Sequence, residues 1–126
     1  MTDLAEWLLA RIAEDEDVAR AAILPQYGQN GEWLTFDDKE HLSRTTVFAR
    51  NWDDKLGQAC ETEMSWIGRG ARDHIARWDP ARVLAECEAK RRLIALGEKD
   101  SYWDDVLRIL ALPYADHPDY REEWRP

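Results

Sequence analysis

The pattern of apolar residues changes twice along the chain, and this change most constrains the fold. At both ends, apolar residues recur at the spacing of a helix, whereas residues 22–67 hold short runs of β-branched and aromatic residues. The predicted fold class is therefore α+β, with an N-terminal helix, a small antiparallel sheet of three to four strands, two C-terminal helices and an ordered aromatic C-terminal arm. A length of 126 residues predicts a single domain, 1–126.

The first predicted helix runs from Asp3 to Ala21. Thr2 is its expected cap, and the acidic residues of its first turn suit the positive end of a helix. An acidic run, 14–17, lies in its second half, and we interpret it as a solvated face. The apolar stripe of this helix comprises Leu4, Leu8, Leu9, Ile12 and Val18.

Asn30-Gly31 predicts a hairpin turn in the middle of the chain, because both central residues of a type I′ turn need positive φ. The strands beside it are predicted at 23–27 and 32–36, and another at 45–49. Residues 58–67 fit a helix or a strand, and the glycines around them favour a fourth strand.

Two further helices are predicted near the middle and in the second half of the chain. A short helix covers 71–78, and Asp79 as N-cap with Pro80 at the first position marks the start of a longer one that Gly97 closes. The predicted inner face of the longer helix comprises Leu84, Cys87, Arg91 and Ile94.

The last predicted helix is capped by Asp100 or Ser101 and ends at Pro113. Its apolar face is predicted from the spacing of Tyr102, Val106, Ile109 and Leu110. The tail, 114–126, contains aromatic residues and prolines, and we expect an extended arm that is laid over the body of the protein.

Charge and cysteine content limit the partners and the compartment. The chain has 17 Lys and Arg against 26 Asp and Glu, a net charge of −9, which argues against broad binding of nucleic acid phosphates. The acidic N-terminal residues and the lack of a long apolar run predict no signal peptide and no membrane segment, so the expected location is cytoplasmic. Cys60 and Cys87 are then expected to be free, partly buried thiols.

Three segments carry a family resemblance: 73–92, DHIARWDPARVLAECEAKRR; 110–126, LALPYADHPDYREEWRP; and 14–22, EDEDVARAA. They resemble the signature segments of an uncharacterised family of small acidic proteins from actinobacteria and their phages. The resemblance implies membership and an association with phages or mobile elements, but no chemistry. Members often carry Thr-Pro-Gly-Pro-Trp where this chain has 23–27, and often His where it has Trp78.

Seven tryptophans suggest a core with one or two exposed rings at a partner surface, because Trp and Arg dominate interface hot spots. Arg77 and Arg82 flank a predicted helix start and are suited to bind carboxylate or phosphate, although we favour their neutralisation by acids of the tail. The candidate binding residues are His74, Arg77, Trp78, Arg82, His117, Tyr120 and Trp124.

No catalytic residue, metal ligand or cofactor is predicted. The pairs Asp73-His74 and Asp116-His117 lack further His or Cys ligands at helical spacing, and the chain contains no phosphate-binding or nucleophile motif. The predicted function is a non-enzymatic cytoplasmic interaction module that binds a protein partner or a second copy of itself. The alternatives are an acidic inhibitor that mimics DNA, and a small-ligand or metal-dependent enzyme that uses Asp73, His74, Arg77 and Arg82.

Overall fold

The computed structural model describes residues 2–23, 29–34, 46–51, 56–61, 69–97, 99 and 101–126. These residues are mostly helical, and the predicted N-terminal helix and C-terminal helices are confirmed. The helices are α1 (Asp3–Ala21), α2 (Arg69–Arg77), α3 (Pro80–Gly97) and α4 (Trp103–Ala111), and the strands are β1 (Gln29–Leu34), β2 (Thr46–Asn51) and β3 (Leu56–Glu61).

The chain divides into two compact units. The terminal unit comprises 1–16 and 85–126, and the middle unit comprises 17–84. That the chain is a single domain stays a prediction. Parts of the predicted strands 23–27, 32–36, 45–49 and 58–67 lie outside the described residues, namely 24–27, 35–36, 45 and 62–67.

The start of α1 agrees with its predicted cap, because the Ala5 N–H donates to Thr2 Oγ1 at 3.3 Å. Leu4, Leu8 and Ile12 are buried as the stripe requires. Val18 is 73% exposed, so its assignment to the stripe is wrong. Ala19 is buried instead, because seven residues after Ile12 amount to two helical turns.

The three strands pair antiparallel in the order β1-β2-β3. The predicted turn at Asn30-Gly31 is wrong: both residues lie within β1, where the pairing with β2 shifts between Gln29 and Trp33. Gly31 does have positive φ, +89°, and a Cβ there would lie 3.0 Å from the backbone nitrogen of Ala81. The same conformational freedom that suits a turn thus serves an irregular strand that runs close to α3.

Asp79 joins two elements of the middle unit. One carboxylate oxygen accepts the Arg82 N–H at 2.8 Å, which confirms the predicted N-cap of α3. The other oxygen accepts the Trp33 N–H of β1 at 3.1 Å. The α2 helix packs against β1 and β2, so this unit holds the end of α2, the start of α3 and the sheet together.

The end of α3 is shaped by Trp103 in the terminal unit. The Trp103 indole donates to the backbone oxygen of Ile94 at 3.0 Å. A Cβ on Gly97 would lie only 1.9 Å from a Trp103 ring atom. Gly97 therefore ends α3 as predicted, and the physical reason is the close approach of an indole ring.

The prediction for α4 is wrong at its cap and on its inner face. Tyr102, not Ser101, precedes the helix, and it makes no capping side-chain hydrogen bond, while Asp100 lies outside the described residues. Leu107 and Ala111 are the buried residues, whereas Ile109 is 57% exposed. Trp103 lies one turn before Leu107 and two before Ala111, so the face that meets α3 is the one Trp103 belongs to.

The tail packs on α1 through aromatic rings around Trp7, and two 3-10 turns, Leu112–Tyr114 and Glu122–Trp124, fold it rather than leave it extended. Trp124 is 7% exposed, and its ring centroid lies 5.0 Å from that of Trp7. The edge contacts to Trp7 come from Tyr114 at 6.4 Å, His117 at 5.7 Å and Tyr120 at 5.9 Å. We call these five residues, with Arg11, the Trp7 cluster.

The acidic run of α1 is not a wholly solvated face, so that interpretation is wrong for Asp15 and Glu16, which are half-buried. Each carboxylate of the run has a partner. The contacts are Glu14 with Arg11 at 2.9 Å, Asp15 with the Tyr114 hydroxyl at 2.5 Å, Glu16 with Arg91 at 2.8 and 2.9 Å, and Asp17 with Arg20 at 3.9 Å.

Cys87 is a free thiol and is fully buried rather than partly buried. Burial, and next the nearby Asp15 carboxylate, raise the pKa of the Cys87 thiol, which keeps it protonated and unreactive. The side chain of Cys60 lies outside the described part of the structure.

Candidate functional site

The seven candidate binding residues fall into two groups. His74, Arg77, Trp78 and Arg82 lie in the middle unit, and His117, Tyr120 and Trp124 lie in the terminal unit. The first group lies on exposed positions at the end of α2 and the start of α3. With Asp73 it forms what we call the Trp78 surface.

Helix geometry brings the Trp78 surface together. His74 and Arg77 follow Gly70 by four and seven residues and so share one face of α2. Trp78 comes directly after α2, and Arg82 lies in the first turn of α3. A shallow, open hollow of about 310 Å³ is lined by Gly70, Asp73, His74, Arg77 and Trp78.

Trp78 is the central aromatic residue of this surface and remains 46% exposed. The guanidinium carbon of Arg82 lies 4.3 Å from the centroid of the Trp78 ring, a cation–π contact. The His74 ring lies 6.4 Å from it at a tilt of 48°. The indole is thus held by exposed neighbours and still presents ring surface to solvent.

The charge of the Trp78 surface is positive. The Asp73 carboxylate accepts from Arg72 at 3.1 Å, and the Arg72 side chain is 3% exposed, so a buried cation compensates this carboxylate. Arg77 is exposed, and among the described residues of the middle unit it has no ion pair or hydrogen-bond partner. The exposed guanidinium of Arg77 therefore adds positive charge to this surface of a protein with a net charge of −9.

The candidates in the terminal unit are part of its packing. His117 contacts Trp7, and its Nε2 accepts a hydrogen bond from Arg11 at 2.6 Å. The Tyr120 ring lies 5.8 Å from that of Trp124, edge to face. These contacts attach the tail to α1, and the binding role of these three residues stays a prediction.

Tail carboxylates contact arginines of the same unit. Glu122 accepts from Arg125 at 2.5 Å, and this hydrogen bond lowers the pKa of Glu122. Arg121 lies 3.8 Å from Glu123 and 3.7 Å from Asp3. The expected pairing of tail acids with Arg77 and Arg82 stays a prediction, because those arginines belong to the other unit.

The comparison with protein families matches the whole chain. The family of unknown function DUF6221 covers residues 1–126. The chain belongs to this family. A comparison with curated proteins and one with solved structures gave no match. The resemblance to an uncharacterised family is thus confirmed for this DUF6221 protein, and its actinobacterial and phage context stays a prediction.

Two further searches of the structure concern metal-ligand groups and membrane-spanning helices. Among the described residues, no three His, Cys, Asp or Glu side chains converge as a metal-ligand group. Within the same ranges, every helix is too short or too polar to cross a bilayer.

Sequence reasoning missed several residues that shape these regions. Trp7 and Arg11 of the Trp7 cluster stand four residues apart on a helix, a spacing that could have indicated their cation–π contact of 5.4 Å. Arg72 is buried, and no local pattern in the sequence marks it as such. The bond from Asp79 to β1 joins residues far apart in sequence, and a capping pattern carries no signal for it.

Proposed function

We propose that this DUF6221 protein is a non-enzymatic cytoplasmic interaction module that binds another protein through the Trp78 surface. The observation that carries the proposal is the exposure of Trp78 between Arg82 and His74. Trp and Arg are the residues most enriched among interface hot spots. An association with phages or mobile elements is part of the proposal and rests on the family resemblance.

The energetics favour a covered Trp78. About 100 Å² of a half-exposed indole remains in contact with water. Removing this area from water contributes about 2–3 kcal/mol at about 25 cal/mol per Å². The neighbouring Asp79 caps the start of α3 and accepts a hydrogen bond from β1. The local fold therefore does not depend on an aromatic ring at position 78.

The scaffold fits this role. In the proposal, the predicted α+β class serves to hold one exposed helix end on a sheet. The inner side of α2 packs on β1 and β2, which holds the helix in place. Asp79 fixes the turn from α2 into α3. Rigid support of this kind lowers the entropy that binding must offset.

The DNA-mimic alternative needs a row of carboxylates without neutralising partners. The run 14–17 does not provide one, because Arg11, Arg91 and Arg20 contact three of its members and Tyr114 contacts the fourth. The interaction proposal is therefore preferred to this alternative.

A second candidate function is recognition of a small anion in the hollow on α2. The observation that favours it is that Asp73, His74 and Arg77, three of the four residues of the predicted enzyme alternative, line one hollow. A small ligand would be held by Arg77 and His74 at its rim. If His74→Ala loses binding of a small anion or a related activity while Trp78→Ser retains it, this candidate is favoured over the interaction module.

The test of the proposed function is chemical crosslinking in a natural host, with quantitative identification of the attached proteins. Trp78→Ser is expected to reduce capture of the specific partner at least tenfold, with an unchanged melting curve. Tyr102→Ser is the matched control, because Tyr102 is an exposed aromatic residue outside the surface. Equal capture by Trp78→Ser and the native protein would refute the proposal.

A further inference from the structure

We infer that the outer face of α3 and α4 binds a second copy of this chain, so that the protein forms a two-fold homodimer. We call it the Leu96 face, and it comprises Leu93 and Leu96 of α3 with Val106 and Ile109 of α4. All four residues belong to the terminal unit. The inference goes beyond the proposed function, because it concerns a different surface and a different partner.

Helix geometry turns the Leu96 face away from the buried side of each helix. Ile94 of α3 and Leu107 of α4 are buried. Leu96 and Ile109 each follow the buried residue by two positions, which amounts to about 200° around the helix axis. Their side chains therefore lie on the opposite side, where they are 79% and 57% exposed. Most of their apolar surface is left to water.

Contacts between α3 and α4 show that the two helices lie side by side. Gly97, at the end of α3, lies against the ring of Trp103 at the start of α4. The Lys90 ammonium group lies 5.7 Å from the ring centroid of Tyr114, which follows α4. The helix α4 therefore runs back along α3, as in a helical hairpin.

This arrangement makes one surface of the apolar residues on both helices. Leu93 precedes Gly97 by four residues, and Val106 follows Trp103 by three, so each is the neighbour of its contact residue on the helix surface. The line of contact between α3 and α4 thus continues between Leu93 and Val106. The Leu96 face is an apolar patch along this line.

The exposed area is sufficient for the centre of a dimer interface. Leu93, Leu96 and Ile109 together expose about 300 Å² of apolar surface. A stable dimer buries about 800 Å² on each partner, and roughly 60% of this area is apolar. The three side chains alone supply more than half of the apolar part. Patches of this size on a soluble protein mark interaction sites.

The charges at the rim favour a second copy as the occupant. Lys99 follows α3, Asp105 lies one turn before Ile109 on α4, and both are exposed. A two-fold contact that sets α3 of one copy beside α4 of the other repeats every pairing twice. It therefore brings unlike charges, Lys99 and Asp105, together at two places on the rim. The face complements itself, which is what a homodimer requires.

Sedimentation velocity of the full chain measures the oligomeric state between about 1 μM and about 1 mM. We expect the native protein to pass from a mass of 14.7 kDa to twice that mass as its concentration rises. A variant with both Leu96→Gln and Ile109→Gln is expected to dimerise at least tenfold more weakly, because each copy loses two apolar contacts. The circular dichroism spectrum of the dilute variant verifies that it is folded.

Val18→Gln is the matched control, because Val18 is an apolar residue of α1 that is 73% exposed and lies outside the terminal unit. The same change of side chain there is expected to leave dimerisation unchanged. An equal loss in Val18→Gln and in the double variant would show an unspecific effect and overturn the inference.

Trp78→Ser separates the inference from the proposed function. It is expected to leave the dimer intact, whereas the double variant is expected to retain the partner that crosslinking detects. A native protein that stays monomeric at about 1 mM overturns the inference, as does a double variant that dimerises like the native protein. A monomeric chain whose double variant loses a host partner also overturns it, because the Leu96 face then belongs to a different protein.

Discussion

Tyr114 shows how one side chain can fix the tail to the first helix. Its hydroxyl donates to the Asp15 carboxylate at 2.5 Å, and Lys90 lies 5.7 Å from its ring centroid. Burial, and next the hydrogen bond to Asp15, raise the pKa of Tyr114 above its ordinary value of 10.0. The neutral phenol is thus strongly favoured in the folded protein.

Tyr114→Phe is expected to lower the free energy of unfolding by about 1–3 kcal/mol at neutral pH, because a hydrogen bond to a charged group is lost. The pH dependence follows from the raised pKa. Stability from the protonated Tyr114 is fully present below 10.0 and is lost as pH rises above it through the folded value, since the unfolded chain ionises first.

Urea unfolding at neutral and alkaline pH measures both effects. The native protein should lose stability more steeply than Tyr114→Phe once the pH exceeds 10.0. Parallel slopes for the two proteins would show that Tyr114 does not have a raised pKa in the fold.

At the scale of the elements, alanine substitutions at two helical glycines are expected to have opposite effects on stability. Gly97 ends α3 against Trp103, where a Cβ would meet ring carbon at 1.9 Å. Gly70 lies in the first turn of α2, and among the described residues no atom outside its chain neighbours and its own helix backbone lies within 4 Å of its Cβ position. The packing around each residue, and not the helical position alone, decides the effect of an added methyl group.

Gly97→Ala is expected to reduce the free energy of unfolding by about 1–3 kcal/mol, because Trp103 must shift from its contact with Ile94. Gly70→Ala, the matched control, is expected to change stability by at most about 1 kcal/mol, towards greater stability. Thermal and urea unfolding measure both. A Gly97→Ala variant as stable as Gly70→Ala would contradict the assigned packing.

The element boundaries that the sequence predicts well depend on local chemistry. Capping rules place the start of α1 at Thr2, the start of α3 at Asp79 and Pro80, and the end of α4 before Pro113. They succeed because each of these residues acts within one helical turn of its own position. The inner face of α4 could not be predicted in the same way. The rotation of α4 about its axis is set by the packing of Trp103 against α3. The spacing of apolar residues in α4 carries no information about this contact.

The same distinction explains the remaining errors. Asn30-Gly31 predicts positive φ at Gly31 correctly, but the partner strand decides whether that conformation forms a turn or an irregular strand. Asp15 lies in an acidic run that is typical of a solvated face. Its hydrogen bond with Tyr114 joins two ends of the chain that are far apart in sequence, so no local pattern indicates it. For the candidate site, the sequence marked Trp78 and its neighbours, but the compensation of Asp73 by buried Arg72 required coordinates.

At the scale of the whole molecule, the family match extends over 1–126 and so includes both units. The terminal unit is formed from residues at opposite ends of this range. Its Trp7 cluster buries rings from the tail on a helix near the N-terminus. The tail is therefore a structural part of the unit and not a free extension.

Deletion of 114–126 is expected to lower the melting temperature by several degrees, because Trp7 and Asp15 lose their partners from the tail. Deletion of 125–126 alone is the control, since both residues are exposed. Calorimetry measures the two truncations. If the longer deletion melts with the full chain, the tail contributes no stability and would instead be available to a partner.

The arrangement of the Trp7 cluster has a consequence for biosynthesis. Translation proceeds from the N-terminus, so α1 leaves the ribosome long before the rings that cover Trp7 are made. Until residues 112–126 emerge, this indole has no aromatic cover from the tail, and the nascent chain carries an apolar surface that chaperones recognise. Completion of the terminal unit is thus a late step in folding, because it must await the synthesis of residues 112–126.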